Sequence, residues 1–151
     1  MNETIQLHSV KSDEALTEAK IMLDNDKPEW AVNRSYYSHF YLVQALNFTK
    51  GVAAKSHQGT IIQFNKNFIK TGIFEKKYNN ILQKSLDQRL VGDYEIGKRM
   101  TMEIANEIYK DAIDFSNTVK VYFQALNDKV WQKTNELLKD KKNDHIISHG
   151  D

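Results

Sequence analysis

The stretch WAVNRSYYSHFYLVQALNF, residues 30–48, decides the fold. Wound at about 100° per residue, it carries apolar or aromatic side chains on most faces, the pattern of a helix enclosed by other helices. Pro28 stands just ahead, where a first-turn position tolerates its missing N–H, and Gly51 follows as a stop. A central helix over 28–49 is predicted. Two side chains sit awkwardly in it. Arg34 shares a stripe with Trp30, Tyr37, Ser38 and Tyr41, and a guanidinium there needs a carboxylate, carbonyls or a phosphate, because a lone buried charge is very costly. His39 lies about 140° further round the helix, near Tyr36, Phe40 and Val43. The two do not face one another, and His39 reads as a packing histidine.

Outward from this helix the chain keeps the same character. One proline and six glycines in 151 residues leave long uninterrupted segments. A first helix is expected over 12–24, with Ser12 as its cap and Asp13 and Glu14 in its first turn. A third is expected over 57–70, capped by Ser56, with Ile61, Phe64 and Phe68 as its stripe and Gly72 as its stop. A fourth is expected over 74–91, burying Tyr78, Ile81, Leu82, Leu86 and Leu90 until VGDYEIG breaks it. A fifth, from 97 to 126 or beyond, carries Ala105, Ile108, Ala112, Phe115, Val119, Tyr122 and Leu126 at alternating spacings of three and four. The predicted architecture is all-α, an up-and-down bundle of four to five helices. Residues 1–127 form one domain in this reading, and 128–151 a helix extension with a frayed polar tail.

Composition excludes several function classes. There is no cysteine, hence no disulfide, thiol nucleophile or thiolate metal site. No run of ~18 apolar residues offers a membrane span, and the first residues lack a signal-peptide pattern, so a cytoplasmic protein is expected. No histidine or carboxylate spacing of the known helical metal motifs is present, and neither a metal nor a cofactor is expected. The glycines of GVAAKSHQG are wrongly spaced for a phosphate loop. Net charge is +1 but uneven. Residues 50–89 hold eight basic groups (Lys50, Lys55, Lys66, Lys70, Lys76, Lys77, Lys84, Arg89) against two acidic ones. Such a block either attracts phosphates or simply solvates a face.

Four further polar positions stand out. His57 opens the third helix and continues the line of Ile61, Phe64 and Phe68, so it faces inward. Arg89 and Asp93 are one helical turn apart on the inner face of the fourth helix, and Tyr94 adds a hydroxyl beside them.

The segments NRSYYSHFYLVQAL, KSHQGTIIQFNKNFIKTG and LDQRLVGDY, in this order, resemble the HEPN domain, in the branch with an Asn-Arg-x-Tyr-Tyr helix and an Arg-x-x-x-Asp-Tyr ending. The resemblance spans about residues 10–126. It implies a helical bundle, often a homodimer, linked to RNA or nucleotides in toxin–antitoxin or phage-defence systems. The partner it implies is a nucleotidyltransferase antitoxin. Active ribonucleases of the superfamily use an arginine to hold the phosphate and a histidine as acid or base at the ribose 2′-hydroxyl, without a metal. Arg89 takes the arginine position here, and Asp93 stands where those enzymes have histidine. His57 is the candidate to supply the missing imidazole. Asn33, Arg34, Tyr37, Asp93 and Tyr94 are expected to form the ligand-binding or polar network around it, with Arg34 reaching towards Asp93. The alternative is a non-catalytic module that binds a nucleotide or a protein.

Overall fold

Burial over most of its surface makes the second helix the centre of the first compact unit. The computed structural model describes residues 2–94 and 100–149, with side chains for 2–88 and 100–141. Its helices are α1 (Glu3–Asp24), α2 (Pro28–Thr49), α3 (His57–Phe64), α4 (Lys76–Tyr94) and α5 (Met102–His149), and no strand occurs among the described residues. No described helix is long and apolar enough to cross a membrane. The chain forms two compact units, Met1–Asn117 and Thr118–Asp151. Within the first, α2 packs against α1, α3 and α4. Its buried residues include Ala31, Ser35, Tyr36, His39, Phe40, Leu42, Val43 and Leu46, too wide a set for a surface helix.

The α1–α2 seam is built from small residues. Ser12, Ala15 and Ala19 of α1 are buried, as are Ala31, Ser35 and Ser38 of α2. Two backbones can approach closely where side chains are this short. Ser12 Oγ is thereby brought to 2.8 Å from the carbonyl oxygen of Ser38, to which it donates, and to 2.9 Å from its hydroxyl. The expected cap at Ser12 is therefore corrected. α1 begins at Glu3, and the Asn2 side chain caps it by accepting the Ile5 N–H at 3.1 Å. A serine ahead of two acids looks like a first turn, but burying a hydroxyl between helices satisfies it equally well.

On the other side of α2 an aromatic core gathers around Phe115 of α5. The His39 ring stacks on it at 3.9 Å between centroids, and Phe64, Phe74 and Tyr78 surround it within 5.4–6.2 Å. Buried aromatic contacts of this kind supply area and about 0.5–1.5 kcal/mol per pair beyond it. Near the α1–α2 turn, Leu23, Ala31, Val32, Met100, Ala105 and Ile108 form a second cluster.

Helix ends follow recognisable chemistry. Gly51 has φ +72°, and the amides of Gly51 and Val52 bond back to Phe48 and Asn47, closing α2 as the sequence predicts. The same two bonds close α1 through Asp26 and Lys27, with Asp26 at φ 58° where glycine is usual. α3 continues into a π-helical turn, Asn65–Ile69, before Gly72 at φ +78°. α4 ends at Tyr94, inside the VGDYEIG stretch expected to break it, after passing through Gly92. One interior glycine costs only about 1 kcal/mol, which neighbouring turns override. α5 starts later than expected, after Thr101 accepts the Ile104 N–H. It runs to His149.

Candidate functional site

The α2–α3 junction brings three of the predicted polar residues, Arg34, Tyr37 and His57, into one series. Ser56 caps α3 by accepting the Gly59 N–H at 2.9 Å. A Cβ on residue 59 would meet that hydroxyl at 2.8 Å, so glycine lets the cap close. The cap fixes the first residue of α3, His57, against α2. Its ring stacks on Phe40 at 4.3 Å with the planes 11° apart, and lies edge-on to Tyr37 at 6.0 Å. Its Nδ1 shares a hydrogen bond of 2.6 Å with the hydroxyl of Tyr36, a residue with no exposed surface. Tyr36 and Phe40 are one turn apart and Tyr37 is adjacent, so a single patch of α2 holds the imidazole on three sides.

Arg34 extends this patch. Its guanidinium carbon lies 5.5 Å from the centre of the Tyr37 ring, within cation–π range. Its Nε is 3.4 Å from Glu18 Oε2 on α1. This is an ion pair without hydrogen-bond geometry, for the buried Nε has no hydrogen-bond partner among the described residues. The result is a continuous series across three helices: the Glu18 carboxylate, the Arg34 guanidinium, the Tyr37 phenol, the His57 imidazole and the Tyr36 phenol. The described carboxylate beside Arg34 is thus on α1, and the expected approach to Asp93 falls outside the described side chains. Asn33 is half-buried on α2. Arg89, Asp93 and Tyr94 lie on the last turns of α4, and their side chains are outside the described residues.

Sequence reasoning missed Tyr36, Phe40 and Glu18. Tyr36 could have been found as the inner of the two adjacent tyrosines, since it shares the face of Phe40 and the buried positions. Glu18 carried no comparable signal, because α1 presents several acids and only the crossing geometry selects one. His39, separate from this series, is fully buried, and burial pushes its imidazole down to about 3. Neither ring nitrogen has a hydrogen-bond partner among the described residues, so it is the packing group that the helical angle implied.

The basic block is exposed at each of its described lysines. Two of them pair with carboxylates of α5: Lys77 with Asp114 at 3.7 Å, and Lys84 with Glu107. Lys50 lies 5.7 Å from the centre of the Phe68 ring. No group of three or more histidine or acidic residues able to hold a metal occurs among the described residues.

Residues 6–122 match the family model described as HEPN domain. A "UPF0332 protein" of Pyrococcus horikoshii is 30% identical over 146 residues, covering 91% of this chain and 96% of the relative. A "Putative toxin" of Methanocaldococcus jannaschii is 35% identical over 120 residues, 80% of this chain and 89% of the relative. A "UPF0332 protein" of Thermotoga maritima is 40% identical over 81 residues, which are 54% of this chain and 61% of the relative.

Proposed function

The chain belongs to the HEPN domain family, and from that premise we propose that it is a toxin-type protein acting on RNA or a nucleotide. Its functional domain is residues 1–127, it works as a homodimer in the cytoplasm, and a nucleotidyltransferase antitoxin restrains it. The observation that carries this reading is the held imidazole of His57 beside the Arg34–Tyr37 pair. An imidazole with a fixed orientation is suited to take a proton from a ribose 2′-hydroxyl. Arg89 and Arg34 are the cations that would stabilise the negative charge growing on the phosphate. The lysines of 50–89 would draw the polyanion to the surface, and that attraction would fall as salt rises. Two relatives named as toxins support the biological setting.

The test is induced expression in a bacterial host, with and without a nucleotidyltransferase should one prove to be encoded beside the gene. Wild-type protein is expected to arrest growth, co-expression of the neighbour to relieve the arrest, and His57→Ala to be harmless. Full growth with abundant soluble wild-type protein would overturn the proposal.

One observation favours a second reading, a non-catalytic module that binds a nucleotide or a protein. Asp93 occupies the position of the family's histidine, and an ionised carboxylate near Arg89 would neutralise the cation meant for phosphate. In that case a nucleotide would raise the thermal midpoint while RNA stayed intact.

A further inference from the structure

The second compact unit, considered alone, carries an apolar stripe that its own chain leaves in solvent. Val130, Trp131, Leu137 and Leu138 are 66%, 67%, 56% and 54% exposed. Four large apolar side chains within nine positions are more than scattered surface residues. On the helix, Leu126, Val130, Thr134, Leu137 and Lys141 fall within an arc of about 80°. The spacings from 130 to 141 alternate four and three, as in a helix-pairing seam. Thr134 fits such a seam because its hydroxyl donates to the Val130 carbonyl at 2.9 Å, which leaves its methyl to pack.

The flanks of this seam select its partner. Trp131 and Leu138 border it on one side, Lys133 and Asp140 on the other. We infer that this segment of α5 pairs with the same segment of a second copy, antiparallel, about a two-fold axis between residues 135 and 136. In that register Val130 faces Lys141 of the second copy, and Thr134 faces its Leu137. Trp131 meets Leu138 along one edge, and Lys133 meets Asp140 along the other. Every flanking contact is then complementary and occurs twice, as two-fold symmetry requires. The Lys141 stem lies over Val130 while its ammonium reaches water. A parallel pair would instead stack Lys141 on Lys141 and set Lys133 against Leu138. The seam from 130 to 141 is only about three turns long, short of the ~800 Å² per partner of a standard interface, so the pairing is reversible.

This inference deepens the two-chain part of the proposal above and is independent of the chemistry at His57. The test is sedimentation equilibrium of the full chain over a hundredfold range of concentration. Wild type is expected to pass from monomer to dimer within that range. Lys133→Glu and Asp140→Lys are each expected to raise the dissociation constant about tenfold, since each turns two attractions into repulsions. The double variant should return to the wild-type value, and Trp131→Glu should be monomeric with unchanged helicity. A dimer indifferent to all four variants would overturn this surface and leave the homodimer standing. A wild-type monomer at every concentration would overturn both.

Discussion

The buried imidazole of His39 gives the fold a sensitivity to acid that can be worked from its surroundings. Its ring is enclosed and stacked on Phe115, and burial holds it at about 3 against an ordinary 6.5. The folded chain therefore keeps this ring neutral at a pH where the unfolded chain protonates it. The stabilising contribution is complete above pH 6.5 and is lost as pH falls from there towards 3. At pH 5 the unfolded state has gained about 1.5 pH units of proton binding that the folded state has not, worth about 2 kcal/mol. By pH 4 the loss reaches about 3 kcal/mol. That is a substantial part of the 5–15 kcal/mol typical of a domain. Urea unfolding followed by far-ultraviolet circular dichroism, at pH 7.5 and pH 5.0, measures it. His39→Phe removes the titration while keeping an aromatic ring against Phe115. Its absolute stability is free to change, because the readout is the difference between the two pH values. Wild type should lose about 2 kcal/mol more than the variant on this step. The remaining described histidines are common to both proteins and cancel. Equal losses would refute the reasoning and mean that His39 is solvated or paired when charged.

Other expectations concern single contacts. Phe115→Ala should cost about 3–5 kcal/mol in chemical denaturation, because it empties the centre of the aromatic core. Asp26→Gly should stabilise by about 0.5–1 kcal/mol, since it relieves a positive φ without removing either capping bond. Gly59→Ala should cost about 1 kcal/mol by opening the Ser56 cap, and Ser56→Ala about the same; a double variant no worse than either single one would show that they act through one contact.

Much of the fold was legible because α2 announces itself. A helix apolar on most faces and bounded by Pro28 and Gly51 admits few roles other than the centre of a bundle. The stops at Gly51 and Gly72 and the cap at Ser56 were also readable, since each depends on local chemistry. Ser12 was misread because a buried small-residue seam and an exposed cap use the same side chain, and only the partner helix distinguishes them. α4 ends within VGDYEIG but beyond Gly92, because a helix end is decided by the sum of neighbouring interactions, whereas the sequence shows only the weak residue. In the site, Arg34, Tyr37 and His57 could be chosen as residues that needed partners. The identities of those partners, Glu18 and Tyr36, depended on how α1 and α3 cross α2, which no spacing within one helix encodes.

In the proposed function, the imidazole at the head of α3 acts on RNA. The most direct measurement is cleavage of a labelled RNA in excess chelator by wild type, His57→Ala and Arg89→Ala, each verified as folded. Wild type should cut at a rate unaffected by the chelator, and His57→Ala should fall by about 100-fold or more. The same background rate in all three proteins would contradict it.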